Sequence, residues 1–70
     1  MRILIVEDEA FISDALSRRL RARGYAPRVV EGPAPALEAF EEHRPDLVII
    51  SLTLPDEAGL TLCKSLRERP

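Results

Sequence analysis

The sequence predicts an α/β fold in three layers, a parallel sheet with helices on both faces. Short strand-length segments rich in apolar residues alternate with longer segments whose apolar residues recur at helical spacing. The segments at 3–6 and 47–50 contain no polar residue, which is typical of strands covered on both faces. Helix-length connections between such strands favour parallel pairing with right-handed crossovers. The predicted order is β-α-β-α-β-α.

Composition fits one small globular domain and excludes several other classes. The chain has 70 residues, is 46% hydrophobic and carries a formal net charge of −2, so neither disorder nor a general attraction to nucleic acid is expected. Its longest apolar run is far below the roughly 18 residues of a membrane helix. One cysteine, Cys63, cannot form an internal disulfide, and no signal-peptide pattern opens the chain. We therefore expect a cytoplasmic protein with no membrane contact and no direct contact with nucleic acid.

The first strand is predicted to end where three carboxylates begin, and a helix follows from Ala10 to just before Gly24, which occupies the usual position after a helix end. The side chains predicted to face the core are Ile12, Ala15, Leu16 and Leu20, and those predicted to face solvent are Asp14, Ser17, Arg18 and Arg21. The arginines near the carboxyl end of this helix interact favourably with the helix macrodipole. The alternative is a basic surface that recruits a partner.

The remaining elements follow from turn and helix-end signals. Residues 25–30 form a weaker strand, which Pro27 places at a sheet edge. A helix with Pro35 in its first turn ends near His43, because Pro45 disfavours helix in the residue before it. His43 is expected to be a solvated surface residue. After the strand at 47–50, the last helix is predicted to face the core with Leu62, Cys63 and Leu66.

Polar groups follow two of the predicted strands at their carboxyl ends. Glu7 and Asp8 follow the first strand, and Ser51 follows the third. If the strands pair in the order 2-1-3, these ends meet at the crevice where doubly wound sheets bind ligands. Two carboxylates and water suit a hard cation such as Mg²⁺. The alternative is that Glu7 and Asp8 only cap the following helix. Capping and dipole effects of this kind stabilise a helix by about 0.3–1 kcal/mol.

Taken together, these features resemble the receiver domain of two-component response regulators along the whole chain. The residues that carry the resemblance are Ile3-Leu4-Ile5-Val6-Glu7-Asp8-Glu9, Gly24-Tyr25, Gly32, Pro45-Asp46-Leu47-Val48-Ile49-Ile50, Leu54-Pro55-Asp56 and Gly59. The resemblance implies a flavodoxin-like fold and a histidine kinase or another signalling protein as partner. It also implies that Glu7, Asp8 and the backbone carbonyl of Thr53 hold Mg²⁺, and that Pro55 and Gly59 shape the loop after the site.

The sequence departs from the family pattern at the residue that would accept phosphate. The family's phosphoacceptor aspartate falls on Ser51, whose hydroxyl is neutral, a weak metal ligand and a poor nucleophile without a base. Asp46 opens the strand at the opposite end, and Asp56 lies beyond Pro55 in the loop. The resemblance therefore implies a module that is not phosphorylated, holds Mg²⁺ only weakly and acts through protein contacts.

The second departure is length. Residues 1–70 are expected to form a receiver-like domain that stops before the family's fourth strand. The family's hydroxyl residue on strand four and its lysine after strand five have no counterparts here. The third strand would then be an open edge, which invites a homodimer.

Two other function classes stay open at this point. One is a small metal-dependent enzyme domain for phosphoryl transfer that uses Glu7 and Asp8. No base or phosphate-binding loop supports it, and we expect no enzyme activity. The other is a half-domain whose role is assembly through the open third strand.

Overall fold

A computed structural model describes residues 1–69, and Pro70, the last residue of the predicted domain, lies outside the described residues. The strands and helices alternate in the predicted order and are β1 (Arg2–Val6), α1 (Ala10–Ala22), β2 (Ala26–Val30), α2 (Pro33–His43), β3 (Leu47–Ile50), a short 3-10 helix (Pro55–Glu57) and α3 (Ala58–Arg67). No helix of the described residues has the length and apolar character needed to cross a membrane.

The three strands form one parallel sheet in the order β2-β1-β3. Val6 of β1 lies opposite Val30 of β2 on one side and Ile50 of β3 on the other. The strands therefore end together at one edge of the sheet, as the predicted order 2-1-3 requires. The predicted parallel α/β architecture is confirmed.

The core forms around β1, whose four apolar side chains are at most 3% exposed. Because side chains alternate across a strand, Leu4 and Val6 share one face of the sheet. Their core cluster includes residues from α2, from the loop after β3 and from α3, namely Ala36, Ala39, Leu54 and Leu62. Full burial of an aliphatic side chain of this size stabilises the folded state by about 1.5–3 kcal/mol. The central strand thus fixes the position of the chain that leads into Glu7.

The strand with complete burial is β1 and not β3. The apolar run at 47–50 predicted a strand covered on both faces, yet Leu47 is 46% exposed and the other β3 side chains are half-buried. In the described part of the chain, β3 pairs only with β1, so its outer side is open. The run of apolar residues predicted the strand correctly but overstated its cover, whereas the expected open edge is present.

The predicted core-facing side of α1 is partly wrong. Ser13 and Ser17 are buried, while Ile12 is 43% exposed and Ala15 is exposed. Leu16 and Leu20 are half-buried. The helix packs beside β2, and small hydroxyl side chains let a helix lie closer to a sheet than branched ones do. Ser13 retains a hydrogen-bond partner when buried, because its hydroxyl donates to the carbonyl of Ala10 at 3.2 Å.

The helix ends agree with the turn signals. Gly24 follows α1 with φ +87°, a conformation that glycine adopts without strain, and its amide donates to the carbonyl of Arg21. Helix α2 ends at His43, as Pro45 predicts, and Arg44 adopts a left-handed conformation there. The helix starts at Pro33, so Pro35 lies in its first turn, as predicted.

Candidate functional site at the carboxyl end of the sheet

Backbone hydrogen bonds hold Glu7 and Ser51 on neighbouring strands at the same edge of the sheet. The amide of Glu7 donates to the carbonyl of Val30 at 3.0 Å, and the amide of Ser51 donates to the carbonyl of Val6 at 2.9 Å. These bonds extend both strand pairings by one step. The predicted meeting of the first and third strand ends is therefore present.

Glu7 is the buried member of the acid pair. Only 8% of the residue is exposed, and its Oε2 accepts a hydrogen bond from the amide of Glu9 at 3.1 Å. Glu9 immediately precedes α1, so one oxygen of Glu7 holds the backbone just before that helix, and no side chain forms a capping hydrogen bond to its first turn. Asp8 is exposed. The pair thus offers one buried, hydrogen-bonded carboxylate and one exposed carboxylate.

The hydroxyl of Ser51 is engaged within its own loop. Its Oγ lies 2.9 Å from Oγ1 of Thr53 and accepts a hydrogen bond from the Thr53 amide at 3.2 Å. This two-residue pattern is an ST-turn, in which a short side chain closes a turn that the backbone would otherwise close. The Ser-x-Thr spacing could have signalled this turn in the sequence, but it was missed. Ser51 itself is half-buried, and Thr53 is exposed.

Gly59 brings α3 against the end of β3. A Cβ at this position would lie 2.5 Å from the carbonyl oxygen of Ser51 and 3.3 Å from Cγ2 of Ile50. Real Cβ contacts of 2.5 Å to a backbone oxygen do not occur, so only glycine permits this approach. The predicted role of Gly59 in shaping the loop thus has a steric basis.

The loop between Ser51 and Gly59 reaches this contact through an unusual backbone. Leu54 is buried at 5% exposure, and Pro55 starts the short 3-10 helix. Asp56 and Glu57 follow with φ of 56° and 58°, the left-handed region that costs an ordinary residue about 1–2 kcal/mol. Aspartate is among the residues that tolerate this region. The two left-handed residues turn the chain into α3.

The predicted site residues differ in burial. Glu7 and Gly59 are buried and Ser51 is half-buried, while Asp8, Thr53 and Pro55 are exposed. No cluster of three or more His, Cys, Asp or Glu side chains suited to a metal ion occurs within residues 1–69. The site is an acid pair beside a serine, with a glycine-dependent loop behind it.

Residues 3–70 match the family of response regulator receiver domains. The chain belongs to that family. It is 41% identical over 66 residues to the DNA-binding response regulator MtrA of Mycobacterium tuberculosis, a match that covers 94% of this chain and 29% of MtrA. It is 44% identical over 68 residues to the sensory transduction protein RegX3 of Mycolicibacterium smegmatis, covering 96% of this chain and 29% of RegX3. This receiver chain spans less than a third of the length of these relatives.

Solved structures of receivers share its fold. The N-terminal domain of a response regulator receiver protein from Methanoculleus marisnigri superposes with a TM-score of 0.91 at 28% identity, over 99% of this chain and 56% of the other. A chain in the crystal structure of histidine kinase ThkA in complex with response regulator protein TrrA superposes with a TM-score of 0.89 at 33% identity. The match covers 99% of this chain and 60% of the other. The flavodoxin-like receiver fold is thus confirmed, and the chain is part of two-component signalling.

Proposed function

We propose that this receiver is a pseudo-receiver: Ser51 occupies the phosphoacceptor position, and the domain signals through protein contacts without accepting a phosphoryl group. The observation that carries the proposal is the position of Ser51. Ser51 comes directly after β3, on the strand next to the one that ends at the buried Glu7. The family resemblance calls for an aspartate at this position.

The chemistry of Ser51 supports the absence of phosphorylation. A hydroxyl needs a base to become an effective nucleophile. The hydrogen-bond partner of Ser51 Oγ in the described residues is Thr53, through its amide and its hydroxyl, and neither group can act as a base. For the same reasons we propose that the chain is not an enzyme for phosphoryl transfer.

The acid pair fits Mg²⁺ only as a weak ligand set. Mg²⁺ in proteins is commonly held by one or two carboxylates together with water, and Glu7 and Asp8 supply that number. One oxygen of Glu7 is already used by the Glu9 amide, and Ser51 contributes no charge. In our proposal Glu7, Asp8 and the Thr53 carbonyl would hold Mg²⁺, which would neutralise the acid pair.

The test of the proposal is incubation of the protein with acetyl phosphate and Mg²⁺, followed by intact mass and hydroxylamine treatment. We expect no mass increase. A hydroxylamine-sensitive adduct would indicate an acyl phosphate on a carboxylate, and an acid-stable, hydroxylamine-resistant adduct would indicate a phosphoserine. Either adduct would contradict the proposal.

We propose a histidine kinase or a related signalling protein as partner, at the start of α1. The start of α1 adjoins the carboxyl end of the sheet, because α1 begins three residues after Glu7. Phe11 is 87% exposed and Ile12 is 43% exposed at this point, with Arg18 and Arg19 further along the helix. Exposed aromatic residues beside arginines are typical of protein interfaces. The solved complex of ThkA with TrrA supports a kinase partner for a similar domain.

The open edge of β3 favours homodimerisation as a second candidate role. Its outer side pairs with no strand of residues 1–69, and Leu47 is 46% exposed along it. Unpaired edges of apolar strands recruit other strands. In this role two copies would pair through β3.

Leu47→Lys should weaken that dimer by about tenfold or more, because a charge on an edge strand opposes pairing with a second copy. Sedimentation equilibrium measures the dissociation constant. Leu52→Lys is the matched control, since Leu52 is 75% exposed in the loop after β3 and should leave the constant unchanged. A wild-type protein that stays monomeric at all concentrations would refute dimerisation through β3.

A further inference from the structure

A groove of about 290 Å³ opens at the amino end of the sheet, opposite the end that carries Glu7 and Ser51. The groove is formed by β1, β2, α2 and the loop before β3, and the lining residues used below are Arg2, Pro27, Arg28, Ala39, His43 and Pro45. None of its lining residues belongs to β3 or α3.

Two arginines line the groove from neighbouring strands. Arg2 lies opposite Ala26, and Leu4 lies opposite Arg28, so strand alternation puts both arginines on the face of the sheet that α2 covers. Within residues 1–69, Arg69 forms an ion pair with Glu41, and His43 Nε2 lies 3.6 Å from Glu42 Oε2 without a hydrogen bond. Both guanidinium groups of the groove are thus without a carboxylate partner in the described structure.

Two carboxylates lie near the groove, and each has another contact. Asp46 accepts a hydrogen bond from the backbone amide of Arg2 at 2.7 Å through Oδ2. Glu42 approaches His43 on α2, with 3.6 Å between Oε2 and Nε2. Neither forms an ion pair with Arg28, so a positive charge is available to an anionic ligand.

His43 adds an unused polar atom to the same groove. Its Nε2 is buried, and the 3.6 Å separation from Glu42 exceeds hydrogen-bond distance, so the atom has no hydrogen-bond partner in the described part of the chain. The side chain as a whole is 40% exposed, so the expectation of a fully solvated histidine is wrong for this nitrogen. An unmade hydrogen bond at a buried atom is a cost that a ligand would remove.

The rest of the lining is apolar and small. Pro27 and Pro45 are half-buried, and Ala39 of α2 is 3% exposed. An apolar concavity of about 300 Å³ with a few polar groups is at the lower end of the size range for small-molecule sites. Guanidinium groups match the planar geometry of a carboxylate and can bind it with two hydrogen bonds.

We propose that this groove binds a small aromatic carboxylate. The carboxylate pairs with Arg28 and Arg2, His43 Nε2 hydrogen-bonds to the ligand, and the ring lies against Pro27, Ala39 and Pro45. The amino end of the groove at Arg2 and the end of β1 beside Ser51 are separated by the length of this five-residue strand, roughly 13 Å for four steps of about 3.3 Å each. Binding there is therefore independent of the phosphoacceptor question, and either proposal can fail alone.

The test is a titration of the isotope-labelled protein with 2-naphthoate, followed by amide chemical shifts, with neutral 2-naphthamide as the matched ligand control. We expect saturable shifts at Leu4, Ala39 and His43, and affinity for the amide at least about fivefold lower. Arg28→Gln should weaken naphthoate binding about tenfold, because a hydrogen bond to a charged group is lost. Arg23→Gln should leave it unchanged, since Arg23 is exposed beyond α1 and outside the groove.

Four outcomes would overturn the proposal. The first is the absence of saturable shifts, and the second is equal affinity for the acid and the amide. The third is equal loss in the Arg28 and Arg23 variants, which would indicate general charge attraction. Arg2→Gln provides a second groove variant: it should also weaken naphthoate binding, and an unchanged affinity in both groove variants would exclude the arginine pairing.

Discussion

Ser51→Asp should convert this receiver from one that is not labelled by acetyl phosphate into one that forms a hydroxylamine-sensitive phosphoadduct. Aspartate would restore the nucleophilic carboxylate that the family resemblance calls for at this position. It would also add a negative charge next to Glu7. Unit charges about 4 Å apart interact by about 1 kcal/mol in water and about 4 kcal/mol near a protein surface, so Mg²⁺ affinity should rise about tenfold or more.

Ser51→Asn is the matched control for that experiment. Asparagine has nearly the same shape as aspartate but neither its charge nor its nucleophilic oxygen pair. Mg²⁺ titration followed by amide shifts of Glu7 and Asp8 gives the affinity, and intact mass gives the phosphoadduct. If the aspartate variant behaves like the asparagine variant, more than one residue of the phosphorylation site has been lost.

Gly59→Ala should destabilise the protein by about 2–3 kcal/mol, the upper part of the range for overpacking. The added Cβ would lie 2.5 Å from the carbonyl oxygen of Ser51, which is backbone and cannot rotate away. The sign is diagnostic, because glycine to alanine inside a helix ordinarily stabilises by about 0.5–1 kcal/mol. In a 70-residue chain such a loss is a large share of the total stability.

Gly32→Ala is the matched control for Gly59→Ala. Nothing lies within 4 Å of a Cβ built at Gly32, whose φ of −166° is open to any residue. Gly32 is the N-cap residue of α2, so its replacement by alanine should lower the free energy of unfolding by less than about 1 kcal/mol. Urea unfolding measures both changes. Equal shifts of the two midpoints would show that α3 can move away from Ser51 at little cost.

Combining Ser51→Asp with Gly59→Ala tests whether the contact between α3 and Ser51 positions the site. In the Ser51→Asp background, Gly59→Ala should reduce labelling at a temperature where both proteins remain folded, because the clash displaces the end of β3 from Glu7. Unchanged labelling would mean that the contact between α3 and Ser51 supports stability but does not position the site.

The sequence alone determined the order of strands and helices, the helix ends that Gly24 and Pro45 signal, and the strand ends at which Glu7 and Ser51 lie. These follow from local chemistry: apolar periodicity, the missing amide of proline, and the left-handed freedom of glycine, here with φ +87° at Gly24. The serine at the acceptor position also needs only the sequence, because it is a matter of residue identity and spacing.

Only the tertiary structure decided which apolar residues are covered and where polar atoms point. Leu47 and Ile12 are exposed because cover depends on the neighbours of a strand or helix, which residue pattern does not specify. Ser17 is buried because the approach of α1 to the sheet favours small side chains. The turn between Ser51 and Thr53 and the groove beside Arg28 both arise where a side chain meets neighbours that only the folded chain provides.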